Sequence, residues 1–369
     1  MNHLILMTVT ASFIGTGTVT GSPVVMDWST VGNAGNTPDP ENGFGAVSYN
    51  YRISTYEVTN SQYAAFLNSV AASDPHGLYN PNMGTNSRGG IIRSGSKGSY
   101  TYAVRGNMGD KPVNYVSWYD AARMANWMTN GQGLHGSSGD TESGVYNFDG
   151  SDSIAAITRD LSNPDQVFIP TEDEWYKAAY HQPADQGGAA GDYWLYATQS
   201  NEVPAIAEAA LNGDVSTPGQ EVVNYAFGAD WNGLNGNLTT VGSAESTSFY
   251  GAYDMNGNVW EWNETLIDQS SSRGLRGGSY NGTAEVLQSQ TRSLNDPVAE
   301  ISFYGFRLAS PAPNCPADVD GSGTVDLGDL NAVLANFGQT TSEGDTNGDG
   351  VVNLADLNAV LAAFGQVCP

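Results

Sequence analysis

The sequence predicts an α+β domain with much irregular loop, followed by a small all-α C-terminal module of two loop–helix repeats. Three observations carry that prediction. Glycine occurs 45 times in 369 residues while only 14% of residues are charged, a composition of turns and loops rather than of helical bundles. A stiff proline-rich break, Ser310-Pro-Ala-Pro-Asn-Cys-Pro316, divides the chain. Beyond the break the sequence repeats, with Asp318 and Asp345 opening two copies 27 residues apart, and before it no repeat is visible.

The elements follow in order. Residues 1–22 read as a signal peptide, apolar from Leu4 to Ile14 and too short to span a bilayer, which implies a secreted or extracellular protein. A buried first strand is the alternative. Residues 23–310 form the large domain. Thr59 or Asn60 caps a helix that turns Tyr63, Phe66, Leu67 and Val70 inward. Ser117 caps a second, with Ala121, Met124, Ala125 and Met128 inward and Asp120 and Arg123 as neighbouring polar positions. Thr171 and Glu174 make a capping box for a third. Trp118, Trp127, Trp175, Trp260 and Trp262 read as core anchors. Residues 311–317 are linker, and 318–369 the tail. Cys315 and Cys368 are the only cysteines, bracket that tail, and read as a disulfide clasp in an exported protein. The net charge of −26, from 13 basic and 39 acidic residues, repels nucleic acid and anionic membranes and suits hard cations. No stretch is apolar and long enough for a membrane span.

The tail loops read D-V-D-G-S-G-T-V-D-L-G-D and D-T-N-G-D-G-V-V-N-L-A-D. Oxygen-bearing residues fall at the EF-hand spacing: Asp318, Asp320, Ser322, Asp326 and Asp329, then Asp345, Asn347, Asp349, Asn353 and Asp356. Gly323 and Gly350 supply the sharp turn, and Thr324 and Val351 would donate carbonyls. The closing residue is Asp where an EF-hand carries Glu, so it must approach closer or bind through one oxygen. After each loop a helix follows with an apolar stripe, Leu330, Val333, Leu334 and Phe337, then Leu357, Val360, Leu361 and Phe364, ending at Gly338 and Gly365. Without entering helices, these repeats resemble type I dockerin modules. The resemblance implies bound calcium and a cohesin-like scaffold as partner, with Leu327, Gly328, Leu354 and Ala355 at the partner-selecting positions. A calcium-stabilised tail with no partner is the plainer reading.

In the large domain, E-V-T-N-S-Q-Y from Glu57, P-V-N-Y-V-S-W from Pro112, I-P-T-E-D-E-W-Y from Ile169, Y-G-A-Y-D-M-N-G-N-V-W-E-W from Tyr250, R-G-G-S-Y from Arg276 and G-F-R-L-A from Gly305 occur in that order. Together they resemble the formylglycine-generating enzyme (sulfatase-modifying factor) family, whose fold is a C-type-lectin variant. By position, the resemblance implies a structural calcium held by the Asp254 and Glu261 side chains and the Gly257 and Val259 carbonyls. A turn with a solvated charge pair is the alternative. A second, upstream calcium site would begin at Asn224 and the Tyr225 carbonyl, its other half open among Asp230, Asn232 and Asn235.

Family enzymes oxidise a substrate cysteine with copper held by two thiolates, since soft sulfur suits Cu(I). The matching positions are Gly282 and Leu287, so no copper is expected and no catalytic residue is assigned. Some relatives use histidines with iron, but His3, His76, His135 and His181 lack metal-ligand spacing. What is left, Ser279, Tyr280, Asn281, Thr283, Gln288 and Gln290, is a polar set suited to a glycan or peptide ligand. The expected function is an exported, calcium-stabilised binding or structural module docked by its tail. An enzyme of the same family with non-copper chemistry, linked to polysaccharide-associated or sulfated-glycan substrates, is the alternative.

Overall fold

The computed structural model describes residues 23–134, 137–267, 271–313, 315–341, 343–366 and 368. The leader read at 1–22, with His3, and also His135 lie outside the described residues.

Two sheets frame the large domain. In one, Tyr51–Ser54 lies between Trp28–Val31 and Ala309–Pro311, antiparallel to both. The domain's first and last strands therefore flank one central strand. The second sheet runs in the order Ser293–Asn295, Arg273–Arg276, Trp260–Leu266 and Tyr304–Phe306. Its neighbours are antiparallel except the last pair, which is parallel. Short two-stranded ladders and long irregular stretches complete a mixed α and β domain. The strand Ala309–Pro311 continues one residue past the expected boundary at 310, so the proline-rich segment begins inside the sheet.

Each expected helix of the large domain opens on a reciprocal cap. Thr59 with Gln62 starts Asn60–Val70, Ser117 with Asp120 starts Trp118–Thr129, and Thr171 with Glu174 starts Glu172–Tyr180. Each such cap satisfies two otherwise orphaned donors and stabilises by roughly 1 kcal/mol. Tyr63, Phe66 and Leu67 are buried, as are Ala121, Met124 and Ala125, while Val70 and Met128 are only partly covered. Trp118, Trp127, Trp175 and Trp262 are buried core residues and Trp260 packs at the margin. One polar reading is corrected. Asp120 and Arg123 are both buried and serve different partners. The Asp120 carboxylate accepts the Ser117 amide at 2.8 Å, and Arg123 reaches Glu142 and Asp152, each at 2.8 Å. Capping has taken the carboxylate that a surface pair would need.

The tail helices are Leu327–Ala335 and Leu354–Ala363, capped by Asp326 with Asp329 and by Asn353 with Asp356. Gly338 and Gly365 follow at φ 82° and 83°, left-handed positions that suit glycine. Of the expected stripes, Val333 and Val360 are fully buried and Leu330 and Leu357 pack beside them. Leu334, Phe337, Leu361 and Phe364 are instead 48–51% exposed. A module this small has too little interior to cover both sides of two helices. Among the described residues no helix is long and apolar enough to cross a membrane.

Cys315 and Cys368 are disulfide-bonded, with 53 residues of sequence separation. In the chain-entropy model a bridge over a loop of that length stabilises by about 4 kcal/mol. We predict that replacing both cysteines by serine lowers the tail's unfolding free energy by about that amount, measured by denaturant titration followed by far-ultraviolet circular dichroism. An unchanged tail transition would refute it.

Candidate functional site

The face in question is built on the end of the strand Arg273–Arg276. Past Arg276 the chain turns sharply on Gly277 (φ 96°) and Gly278 (φ 79°). Neither position has room for a side chain. A Cβ on Gly277 would stand 3.0 Å from the Met255 carbonyl, and one on Gly278 would stand 2.7 Å from Leu287 Cδ2. Arg276 is fully buried and straps the loop that follows. Its Nε donates to Glu172 Oε1 at 2.8 Å, and its Nη1 donates to the Ser289 and Thr291 carbonyls at 2.7 and 2.8 Å. The guanidinium also lies 4.7 Å from the Phe44 ring centroid, a cation–π contact. One side chain thus fixes both the entry and the exit of the loop.

The expected ligand face is rearranged. Ser279 and Tyr280 are buried at 0% and 2% exposure, so neither presents its side chain to solvent. Tyr280 fills an apolar cluster with Met108, Trp231, Leu238 and Val259, while Arg88 lies 5.1 Å from its ring centroid. Ser279 donates to Asn281 Oδ1 at 2.7 Å. Thr283 and Gln290 are exposed, and Asn281 and Gln288 are half-buried. Gln288 donates to the Tyr196 hydroxyl at 3.1 Å and Gln290 donates to Gln288 Oε1 at 2.8 Å. What reaches solvent is a smaller strip: Asn281, Thr283, Gln288 and Gln290. Beneath it, Leu287 is fully buried against Tyr196, Val223 and Tyr225. A Cβ on Gly282 would stand 2.6 Å from Val286 Cγ2. Gly282 and Leu287 are therefore a close approach and an apolar plug.

The run Asp254 to Glu261 differs from its expected use. Both Glu261 oxygens are engaged: Arg307 Nε donates to Oε2 at 2.6 Å, Arg307 Nη2 to Oε1 at 2.7 Å, and Trp175 Nε1 to Oε2 at 2.6 Å. In this structure Glu261 is the counter-ion of a buried arginine, so a cation at the expected site would share a carboxylate already engaged by Arg307 and Trp175. Asp254 accepts the Gly242 amide at 2.5 Å, and burial pushes its carboxyl up to about 6. Gly257 passes over the Asn224 carbonyl so closely that a Cβ would stand 2.3 Å from it. Val259 is fully buried. The upstream site fits a hard cation better at its first residue. Asn224 Oδ1 is a buried acceptor with no hydrogen-bond partner, although its amide group donates to the Asn237 carbonyl at 2.9 Å. Tyr225 is buried beside it. Asp230, one of the open candidates, accepts the Gly236 amide at 2.7 Å, and the Asn235 carbonyl accepts from Arg88 at 2.9 Å.

In the tail, carboxylate oxygens of Asp318, Asp320 and Asp329 lie within 4.8 Å of one another. Asp318 Oδ1 is buried without a partner, and burial, reinforced by Asp329 and Asp320, raises the Asp318 carboxyl above its usual range. That donor set fits a divalent cation. Ser322 donates to the Thr324 carbonyl at 3.1 Å, and Asp326 is taken by the helix cap. The second loop is closed more fully by its own backbone. Asp345 accepts the Gly348, Asp349 and Gly350 amides, and Asp356 those of Thr346, Asn347 and Asn353. Asn353 donates to the Val351 carbonyl at 3.0 Å.

Two buried groups escaped sequence reasoning. Glu57 is 1% exposed with neither oxygen hydrogen-bonded, and burial pushes its carboxyl well up. Lys177 is fully buried and donates to the Asn33 carbonyl at 2.8 Å. Only the capped helix that carries Lys177 was legible; a lysine on such a helix reads as solvated. The described histidines do not converge. His76 sits 3.6 Å from Glu142, while His181 is hydrogen-bonded to the Tyr250 hydroxyl at 2.7 Å.

Comparison with known proteins fits this geometry. Residues 19–312 match the model of the Sulfatase-modifying factor enzyme 1-like domain. A Mus musculus protein named Inactive C-alpha-formylglycine-generating enzyme 2 is 30% identical over 153 residues, covering 39% of this chain and 43% of the relative. A Mycolicibacterium smegmatis protein named Hercynine oxygenase is 23% identical over 287 residues, covering 70% of this chain and 52% of the relative. The chain therefore spans about half the length of the curated relatives it matches. The crystal structure of CarF superposes with a TM-score of 0.44 at 20% identity, over 78% of this chain and 98% of CarF.

A pH prediction follows from His181. Burial first, and then the nearby Lys177, push its imidazole down from 6.5 to about 4. The unfolded chain then binds a proton that the folded chain refuses, so stability present above pH 6.5 is lost as pH falls toward about 4. The charged and titratable neighbours are Lys177, Asp192 and Tyr250. We predict that His181→Phe flattens this acid dependence relative to the wild type, read from urea midpoints above, within and below that window. Parallel pH profiles would refute it.

Proposed function

The chain belongs to the Sulfatase-modifying factor enzyme 1-like domain family, and from that premise we propose that its large domain is a non-catalytic binding or structural module, held to a scaffold partner by its tail. The observation that carries this reading is the pair Gly282 and Leu287. Family chemistry needs two thiolates there, and this chain offers a glycine whose Cβ site is 2.6 Å from Val286 Cγ2 and a leucine with no exposed surface. A side chain at Gly282 has to displace Val286, and a thiol in place of Leu287 opens a void in an apolar wall. The strip Asn281, Thr283, Gln288 and Gln290 above it offers amides and hydroxyls, the groups with which a glycan or peptide is bound without being transformed. That a mouse relative bears the word inactive in its name agrees with this reading.

The decisive assay incubates the full chain with a cysteine-containing sulfatase peptide, copper and oxygen, followed by mass measurement. The expected result is an unmodified peptide. Aldehyde above a no-protein control overturns the proposal. The relative named Hercynine oxygenase favours a second reading, an oxygenase of other chemistry. Its support is weakened by the separate settings of His76 and His181. Oxygen consumption with iron and a thiol-containing substrate mixture is the measurement that would restore it.

The tail is read as the docking and cation-binding part of an exported protein. Supporting observations are the gathered trio Asp318, Asp320 and Asp329, and the half-exposed Leu334, Phe337, Leu361 and Phe364, which leave apolar surface for a cohesin-like partner. Calorimetric titration of the full chain with calcium should lose two sites when Asp318→Ala is combined with Asp345→Ala. Uptake unchanged by that double variant would sink the calcium reading.

A further inference from the structure

The two acidic loops have nearly the same pattern, yet only one is seated against the large domain. Their fourth positions are Gly321 and Gly348. A Cβ on Gly321 would stand 2.9 Å from Asn50 Nδ2, and one on Gly32 would stand 3.4 Å from the Gly321 carbonyl. A Cβ on Gly348 or on Gly350 would meet nothing within 4 Å. Asn50 adjoins the central strand Tyr51–Ser54, and Gly32 follows its neighbour Trp28–Val31. The first loop therefore rests against the strand ends of the sheet that gathers both ends of the large domain.

A cavity of about 310 Å³ lies at this seam, lined by Thr30, Asn50, Ser162, Asp318, Gly321 and the Cys315–Cys368 bridge. Asn50 and Asp318 are both among its lining residues, and the Oδ1 of each is a buried oxygen without a hydrogen-bond partner. Buried acceptors left unpaired on both sides of the seam call for an electropositive partner there. In the first loop, three carboxylates crowd within 4.8 Å, so without a counter-charge they repel. A cation relieves that repulsion and holds the loop in the shape that meets Asn50.

We propose that the first loop is a cation-dependent latch between tail and large domain, while the second loop orders the tail alone. This rests on the calcium reading of the tail given above. The consequence is reciprocal linkage: calcium in the first loop stabilises the seated large domain, and the seated domain tightens calcium in that loop. The second loop shows no such contact at Gly348 or Gly350 and takes no part in the coupling.

The sequence supplies a clean reporter. All eight tryptophans lie in the large domain, so tryptophan fluorescence follows that domain and not the tail. Thermal unfolding of the full chain is recorded in calcium and in chelator for the wild type, D318A, D345A and N50A. The wild type should gain about 2–4 °C in calcium. D345A should keep most of that gain. D318A and N50A should lose most of it, with N50A still taking up calcium in the calorimeter. Equal loss in D318A and D345A, or a full gain in D318A, overturns the latch while leaving the calcium reading intact. Absence of calcium uptake by the wild type overturns both.

Discussion

Everything in the large domain leans on one buried ion pair, Arg307 with Glu261. The arginine is fully enclosed and donates through two nitrogens to two oxygens of the carboxylate, at 2.6 and 2.7 Å. Its remaining donors reach the Ser54 and Tyr253 carbonyls, both at 2.9 Å. Trp175 completes the carboxylate's shell. Four pieces meet there: the central strand of the first sheet, the strand Trp260–Leu266 of the second, the helix Glu172–Tyr180 and the loop before Asp254. Removing one partner of such a pair costs roughly 3–5 kcal/mol, because the other is left charged in a dry interior. A bidentate geometry also fixes direction as well as proximity, so the sheets are set at one mutual angle. Glu57 and Asp254 add two more buried carboxyls near a single arginine, and burial pushes both of their carboxyls up.

That arrangement extends to the rim around Gly282. The turn at Gly277 packs on Trp175, the same residue that holds Glu261. Arg276 then ties the loop to Glu172 at the start of the Trp175 helix. Gly282 and Leu287 both serve close packing, and the loop keeps its shape through Arg276, the glycines Gly277 and Gly278, and Leu287.

Local signals were legible in the sequence and distant ones were not. Thr59 with Gln62, Ser117 with Asp120 and Thr171 with Glu174 sit three residues apart, so the caps can be read directly. Arg276 and Glu172 are 104 residues apart, and nothing in either neighbourhood names the other. The run that contains Glu261 reads as a cation-binding pattern, and nothing local to it announces the arginine 46 residues on that its carboxylate accepts from. Tyr280 read as surface because it stands in a polar set with Ser279, Asn281 and Thr283; its ring is in fact the filling of a pocket of Met108, Trp231 and Leu238. In the tail, periodicity identified the apolar stripe correctly, but periodicity carries no information on how much interior exists to receive it. Val333 found a partner and Phe337 did not.

The first sheet has one more implication. Because Tyr51–Ser54 is flanked by Trp28–Val31 and Ala309–Pro311, the large domain is nearly a closed ring in the topological sense, its two ends separated by a single strand. A domain so wired can be spliced into another protein, or permuted by joining its ends and reopening a distant loop, with little change to its interior. Loops remote from that strand in the chain can then lengthen or shorten without moving the two ends.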